Sequence, residues 1–145
     1  METISVKKLR SGALLPTFGS PEAAGADLYA CLDNDVTIEP GETAFIPTGL
    51  AMELPVGFVG LIYARSGMAC KRGLAPANKV GVIDSDYRGE FIVALYNHSA
   101  ESRTVAHGER IAQLVVTPVL RPIYQEAEDL SYTQRGRGGF GSTGK

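Results

Sequence analysis

The stretch VTIEPGETAFIPTGL, residues 36–50, decides the fold class of this chain. Two short apolar runs, Val36–Ile38 and Thr43–Pro47, flank the turn sequence Glu39-Pro-Gly-Glu42. Pro and Gly favour tight turns, whereas short runs rich in β-branched and aromatic residues are typical of strands. The segment therefore predicts two strands joined by a tight turn.

A second stretch, RTVAHGERIAQLVVTPV at residues 103–119, has the same strand–turn–strand organisation without repeating the sequence. Only Ser66–Arg72 is predicted to be helical. Many short strands separated by turns predict an all-β sandwich or barrel. Phe91–Leu95 is apolar at every position, so we expect this strand to be covered on both faces, by a second sheet or by another subunit. The other strand-like runs are Ile4–Leu9, Gly25–Leu32, Gly57–Ala64 and Glu90–Tyr96.

The bulk properties are those of a single globular domain. The chain has 145 residues, 44% hydrophobic and 21% charged, with a net charge of −2. This charge favours neither a nucleic-acid polymer nor an acidic membrane as a partner. No apolar stretch approaches the roughly 20 residues of a membrane span, and the N-terminus lacks a signal-peptide core. Cys31 and Cys70 are expected to be free, buried thiols, which indicates a cytoplasmic protein.

The composition changes after Pro122, which divides the chain into a core, 1–122, and a C-terminal arm, 123–145. The arm ends in RGRGGFGSTGK, residues 135–145. Its arginines could bind phosphate, its hydroxyls could donate to anions, and its Phe could stack on a planar ring. The GxxxxGK pattern within it is not followed by the Ser/Thr and helix of a phosphate-binding loop. The alternative is a disordered tail, and an arm that orders over a nucleotide satisfies both interpretations.

The most specific internal motif is GVIDSDYRGE, residues 81–90. Its apolar flanks predict a hairpin tip. Asp84 directly follows the apolar run Val80–Ile83, so it could be a rigidly held general base for a water molecule. An Asp-rich turn is the structural alternative, and Asp86 is expected only to pin that turn.

Three further motifs carry polar residues beside apolar strands. In YARSGMA, residues 63–69, Arg65, Ser66 and Gly67 form either an N-cap or an anion site. Asp27 in AGADLYA, residues 24–30, is either structural or part of a metal or phosphate site. Gln113 could be an ordinary outward-facing residue. Taken together, six residues predict a site for a phosphorylated planar base with a water-activating carboxylate: Asp27, Arg65, Ser66, Asp84, Tyr87 and Gln113.

The motifs AGADL, ARSGMA, GVIDSDYRGE, GERIAQL and RGRGGFGSTG, in this order, resemble those of the homotrimeric deoxyuridine triphosphatases (dUTPases). The resemblance implies an all-β, jelly-roll-like β-barrel with one short helix and a flexible glycine-rich C-terminal arm. It also implies a homotrimer with three sites at subunit junctions, each closed by the arm of a neighbouring subunit.

The resemblance further implies hydrolysis of dUTP to dUMP and pyrophosphate, which supplies dUMP for thymidylate synthesis and keeps uracil out of DNA. Asp84 would activate the water that attacks the α-phosphorus, and Asp27 would hold Mg²⁺ through water. Tyr87 would lie under the deoxyribose and exclude a 2′-hydroxyl. The remaining implied substrate contacts are Arg65, Ser66, Gly67 and Gln113 for the phosphates, Asn78, Gly81, Val82 and Ile83 for uracil, and Arg135, Phe140, Gly141, Ser142 and Thr143 in the arm.

Three positions depart from the common family pattern: many members have Pro at Ala64, Leu at Met68 and Pro at His107. None of the three supplies a contacting side chain by this resemblance. Two other functions are possible on the same fold: a deoxycytidine triphosphate deaminase, which needs a Glu base, and a non-catalytic nucleotide sensor. Asp84 and the arm favour the hydrolase.

Overall fold

The computed structural model describes residues 3–139, which form twelve strands and one short helical turn. The strands are β1 (Ser5–Lys8), β2 (Thr17–Phe18), β3 (Ala26–Tyr29), β4 (Val36–Ile38), β5 (Thr43–Pro47), β6 (Leu50–Glu53), β7 (Phe58–Tyr63), β8 (Leu74–Pro76), β9 (Gly81–Ile83), β10 (Ile92–Asn97), β11 (Arg103–Val105) and β12 (Arg110–Pro118).

The strands pair antiparallel in four sheets. The largest sheet has the order β2-β3-β12-β7-β9, and a second has the order β5-β10-β8. Two strand pairs, β1-β6 and β4-β11, complete the pairing within the described residues. The all-β prediction is confirmed, although the hydrogen-bonded ladders of residues 3–139 do not join into one closed barrel.

The hydrophobic core lies between these sheets. Its largest fully buried side chains come from all four sheets and from the connection after β9, so no single sheet supplies the core alone. They include Leu28, Ile38, Ile46, Leu74, Phe91, Leu95, Val105 and Ile111. The loop that follows β9 thus ends on a core residue, Phe91.

The predicted strand at Phe91–Leu95 is covered on one face only. Val93 and Leu95 are buried, whereas Ile92 is 46% exposed and Phe45, on the neighbouring strand β5, is 74% exposed. A second sheet within residues 3–139 therefore does not cover the other face, and cover by another subunit stays a prediction. An uncovered apolar face on this sheet leaves another subunit as its expected cover.

The predicted hairpin tip at GVIDSDYRGE is also wrong. Strand β9 pairs with β7, whereas β10 pairs with β5 and β8, so the two strands that flank the motif belong to different sheets. Residues 84–91 form a connection between sheets. The apolar flanks of the motif could not show this, because both a hairpin and a sheet-to-sheet crossover begin and end in buried strands.

The helical prediction is confirmed as a single widened turn. The backbone N–H of Ala69 donates to the carbonyl of Arg65 at 2.9 Å, and that of Gly73 donates to Met68, five residues earlier. Gly73 ends the turn with φ 70°, where a side chain would also meet Ser99. The short turn keeps Arg65, Ser66 and Gly67 at the point where β7 ends.

The last strand ends at Pro118, and residues 118–137 are exposed. Five large apolar side chains in this segment are at least 91% exposed: Leu120, Ile123, Tyr124, Leu130 and Tyr132. Their own chain provides them with little cover. No helix among residues 3–139 is long and apolar enough to cross a membrane. Both thiols are free as predicted, but Cys70 is exposed rather than buried.

Candidate active site

Strand β12 brings three of the predicted motifs together. It lies between β3 and β7, and Gln113 is paired with Asp27 on one side and with Tyr63 on the other. Arg65, Ser66 and Gly67 follow β7 after one intervening residue, Ala64. Residues that are far apart in the sequence therefore meet at one end of three adjacent strands.

Asp27 is a buried carboxylate with two arginine partners. It is 8% exposed, and its Oδ1 accepts a 2.6 Å hydrogen bond from Nε of Arg65. Its Oδ2 lies 3.5 Å from Nη1 of Arg110. A buried charge is tolerated when it is paired and hydrogen-bonded, so this arrangement fixes the Arg65 guanidinium at the strand end.

Gln113 is half-buried and holds the loop after β7. Its Nε2 donates a 2.9 Å hydrogen bond to the carbonyl oxygen of Ala64. Gly25 packs against the other side of the amide, where a Cβ atom would lie 2.5 Å from Oε1 of Gln113. The structure therefore assigns Gln113 a contact with the backbone beside Arg65, rather than a merely outward-facing position.

An open cleft of about 450 Å³ lies beside this cluster, and we call it the arginine cleft. Arg65 and Gly67 are in its wall, as the sequence predicted. Sequence reasoning missed the other two arginines. Arg110 could have been found in the GERIAQL motif, whereas nothing local to Arg72 identifies it. The lining residues are Tyr29, Arg65, Gly67, Met68, Arg72, Gly108, Glu109 and Arg110.

A second cavity, of about 370 Å³, contains the residues predicted to contact a base, and we call it the β9 pocket. Asn78, Gly81, Val82 and Ile83 line it together with apolar side chains that include Phe45 and Ile92. Strand β9 is the edge of its sheet, so one row of its backbone N–H and C=O groups is not used by sheet pairing. Apolar walls beside such an edge suit a planar ring with polar edges.

Asp84 and Tyr87 lie on the connection that follows β9. Both side chains are exposed, and the backbone N–H of Tyr87 donates to the carbonyl of Asp84 at 3.1 Å, which closes a turn. The Tyr87 hydroxyl donates to the carbonyl of Glu90 at 3.0 Å, and its ring centroid is 6.2 Å from that of Phe91. The tyrosine ring is thus held against the buried end of the loop.

Asp84 and Arg65 lie at opposite ends of the β7–β9 pair. Ile83 is paired with Gly60, so Asp84 is level with Val59, six residues before Arg65. At about 3.3 Å per residue, the two positions are ~20 Å apart along the strand. A catalytic contact requires a separation of about 3 Å. Within one chain, Asp84 is therefore separated from the cluster of Asp27, Arg65 and Gln113.

The described part of the arm includes Arg135, which is exposed and donates from Nε to the carbonyl of Gly138 at 2.9 Å. The predicted contacts at Phe140, Gly141, Ser142 and Thr143 lie outside the described residues. His98 and His107 are both exposed.

The acidic residues do not form a direct metal-binding cluster within residues 3–139, where no group of three or more His, Cys, Asp or Glu side chains is suitably placed. Both oxygens of Asp27 are engaged by arginines. A carboxylate has about four lone-pair sites, so Asp27 can still accept hydrogen bonds from the water shell of a cation. The residues fit a hydrated Mg²⁺ held mainly by substrate phosphates.

The fold and the site define an all-β protein with an arginine-lined cleft and a separate pocket with apolar walls beside a strand edge, features typical of a nucleotide-binding protein. The dUTPase family model matches residues 12–144. The chain therefore belongs to the dUTPase family, which confirms the resemblance seen in its motifs.

Relatives and solved structures agree with this assignment. The deoxyuridine 5′-triphosphate nucleotidohydrolase of Syntrophotalea carbinolica is 49% identical over 142 residues, covering 98% of this chain and 97% of that protein. The protein of the same name from Desulfitobacterium hafniense (strain DSM 10664 / DCB-2) is 56% identical over 131 residues, covering 90% and 87%. A structure of a mutant Staphylococcus bacteriophage 80alpha dUTPase with dUpNHpp matches all of both chains, at a TM-score of 0.92 and 30% identity.

Proposed function

We propose that this chain hydrolyses dUTP to dUMP and pyrophosphate at a site shared between subunits, with Asp84 as the general base. Membership of the dUTPase family supports the reaction itself, and the chain is a dUTP diphosphatase. The meeting of Asp27, Arg65 and Gln113 from three separate motifs is the structural observation that carries the proposal. The product dUMP would supply thymidylate synthesis, and removal of dUTP would keep uracil out of DNA.

The arginine cleft is the proposed site of the triphosphate. Arg65 is fixed through Nε by Asp27, so its terminal nitrogens can be directed at phosphate oxygens. Ser66 and Gly67 are exposed beside it and would add a hydroxyl and a backbone N–H. Gln113 would contact the phosphates from the adjacent strand β12. Its hydrogen bond to Ala64 would also hold the loop that carries Arg65.

The β9 pocket is the proposed site of uracil. Asn78 and the free backbone edge of Gly81, Val82 and Ile83 would form hydrogen bonds with the polar edge of the ring. A site that is built to hydrogen-bond one ring edge rejects a ring whose donors and acceptors are exchanged. Cytosine differs from uracil in this way, so dCTP would be a poor substrate.

Asp84 would accept a proton from a water molecule while the oxygen of that water forms a bond to the α-phosphorus. The bond from that phosphorus to the bridging oxygen breaks, and pyrophosphate leaves. Holding the water and the phosphorus in line lowers the barrier, and such positioning can contribute about 7–11 kcal/mol in the best cases. A position at the end of a paired strand supports this role for Asp84, because the strand fixes its backbone.

Tyr87 would provide the selection against ribonucleotides. Its ring is restrained by the hydrogen bond to Glu90 and by Phe91, so it would not move aside to admit a 2′-hydroxyl. Steric exclusion requires such a restrained side chain, since a freely rotating ring would not discriminate between dUTP and UTP.

A homotrimer with shared sites would bring these parts together. The ~20 Å between Asp84 and Arg65 in one chain supports a site that a second chain completes. The exposed apolar residues Phe45 and Ile92, which also line the β9 pocket, would contact a neighbouring subunit beside the bound ring. The arm, 123–145, whose residues 123–137 are exposed, would reach a neighbouring subunit, with Arg135, Ser142 and Thr143 on the β- and γ-phosphates, Phe140 stacked on uracil and Gly141 between them.

Mg²⁺ is the proposed cofactor. Asp27 would hold it through water, and when bound it would neutralise charge on the triphosphate. The solved structure of a phage phi11 dUTPase mutant from S. aureus, 26% identical at a TM-score of 0.81, is described as showing the coordination of a structural Mg(II) ion. The cytoplasmic location expected from the free thiols stays a prediction.

Pyrophosphate release from dUTP, dCTP, dTTP and UTP, measured side by side with Mg²⁺, tests the proposal. We expect rapid release from dUTP and little from the other three. Ammonia release from dCTP would instead indicate a deaminase. Binding of dUTP without turnover would indicate a nucleotide sensor.

A further inference from the structure

The arginine cleft contains a carboxylate that the proposed function does not use. Glu109 lies in the wall of the cleft beside Arg65 and Arg110, and its side chain is 35% exposed. A second carboxylate in a site for a highly anionic ligand opposes binding, because like charges repel over the short distances within one cleft. Something must compensate for Glu109 if the cleft is to bind a triphosphate.

Arg72 is that partner. Its Nη1 lies 3.1 Å from Oε2 and 3.3 Å from Oε1 of Glu109, so one N–H group faces both carboxylate oxygens. The other terminal nitrogen, Nη2, donates to the carbonyl of Thr104 at 2.5 Å. The Arg72 guanidinium thus lies in the cleft wall with its terminal nitrogens directed at Glu109 and at the backbone.

Both partners are held in place by the backbone around them. The carbonyl of Glu109 accepts a 2.9 Å hydrogen bond from the N–H of Ala30, next to strand β3. The carbonyl of Arg72 accepts a 2.8 Å hydrogen bond from Nε of Arg103. Arg72 also ends the turn that begins just after Gly67, so it ties the Arg65 loop to the loop that precedes β12.

We propose that Arg72 is a positioning residue that neutralises Glu109 and thereby keeps the arginine cleft cationic for the substrate triphosphate. This inference rests on the proposed function, because it takes the cleft to be the phosphate site. With Arg72 in place, its charge offsets that of Glu109, and Arg65 and Arg110 together outweigh Asp27. Without Arg72, the carboxylates of Asp27 and Glu109 balance those two arginines.

Binding of dUpNHpp, an imido analogue of dUTP, to the assembled protein with Mg²⁺ tests this inference by calorimetry, with dUMP as the less charged comparison. Arg72→Met should weaken binding of the analogue by about tenfold and that of dUMP less, because the repulsion scales with ligand charge. Arg72→Lys keeps the charge and should stay within about threefold of wild type.

The double variant Arg72→Met/Glu109→Gln decides between charge and structure. It removes one charge of each sign, so binding of the analogue should return to within about threefold of wild type. Glu109→Gln alone removes the repulsion and keeps the hydrogen-bond acceptor, so it should tighten binding by about threefold. A purely structural role for Arg72 predicts that the double variant stays as weak as Arg72→Met.

Thermal unfolding and light scattering of each variant show whether fold and assembly are intact. If Arg72→Met does not fold, Glu109→Gln alone decides, since unchanged or weaker binding would overturn the inference. If wild type binds the analogue and the double variant does not recover, the inference is wrong and the proposed function stands. If wild type does not bind the analogue, the proposed function fails, and this inference fails with it.

Discussion

The side-chain amide of Gln113 donates to the carbonyl oxygen of Ala64 at 2.9 Å and so ties β12 to the loop that presents Arg65. The amide has space for this contact only because Gly25 has no side chain. The hydrogen bond therefore depends on Gly25, which directly precedes β3. This dependence can be tested without changing a charged residue.

Gly25→Ala should impair both catalysis and stability. A Cβ atom would lie 2.5 Å from Oε1 of Gln113, so the amide must move and release Ala64. We expect kcat/KM for dUTP to fall by about tenfold, with a loss of about 1–3 kcal/mol in the free energy of unfolding. Steady-state kinetics and chemical denaturation measure both.

Gly19→Ala is the matched control, because nothing lies within 4 Å of the position that its Cβ atom would take. Equal kinetics for the two variants would refute this role of Gln113.

Asp84→Asn should nearly abolish hydrolysis while dUpNHpp binding survives. A general base contributes about 10²- to 10⁴-fold to the rate, and the amide cannot accept the proton from water. Single-turnover kinetics and calorimetry provide the two measurements. Asp86→Asn, in the same exposed turn, is the control and should keep near-normal turnover. If Asp84→Asn retains more than about a tenth of the wild-type kcat, Asp84 is not the base.

Tyr87→Ala should admit UTP. The wild-type enzyme should discriminate strongly against UTP, and removal of the ring should reduce the ratio of kcat/KM values for dUTP and UTP by at least about tenfold. Tyr87→Phe keeps the ring and loses only the hydrogen bond to Glu90, which is worth about 1 kcal/mol, so it should remain selective. Comparable kcat/KM values for the two substrates in the wild type would contradict the role assigned to Tyr87.

Removal of residues 135–145 should leave a folded trimer with little activity. The described residues from 118 to 137 are exposed, so the core has little contact to lose. Within the removed segment, Arg135, Phe140, Gly141, Ser142 and Thr143 are assigned to the substrate. Light scattering, thermal unfolding and turnover of dUTP are the measurements. Either loss of the trimer or near-normal turnover would be incompatible with this assignment.

Mixing two inactive variants should restore activity if the arm and Asp84 of one site come from different chains. The Asp84→Asn chain supplies an intact arm, and the chain that lacks residues 135–145 supplies Asp84. After refolding together at equal amounts, random assortment completes about a quarter of the sites, so activity should return to about that fraction. Native mass spectrometry confirms mixed trimers. If mixed trimers form without any recovery, the arm serves the site of its own chain.

The strands could be predicted where apolar runs end at clear turns, as in Val36–Ile38 and Thr43–Pro47, both of which have the predicted bounds. The strand Thr17–Phe18 was not predicted, because two residues show no periodicity and are extended through pairing with β3. Leu74–Pro76 was also missed, since Pro and the preceding Gly resemble a turn in the sequence.

The site could be predicted as a set of residues but not as an arrangement. Asp27, Arg65 and Gln113 were each found in their own motif, yet only the position of β12 between β3 and β7 joins them. Pairing between distant strands leaves no local signal in either strand. The wrong prediction of a hairpin around Asp84 has the same origin, because the flanking residues do not show that β9 and β10 belong to different sheets.

The distance between Asp84 and Arg65 has a consequence for newly made chains. In the proposed assembly, a folded monomer contains every catalytic group and still cannot hydrolyse a nucleotide. Specific activity would therefore fall on dilution as subunits dissociate, and its recovery during refolding would lag behind secondary structure by the time that chains need to find one another. Enzyme activity in such a protein is a direct readout of subunit encounter.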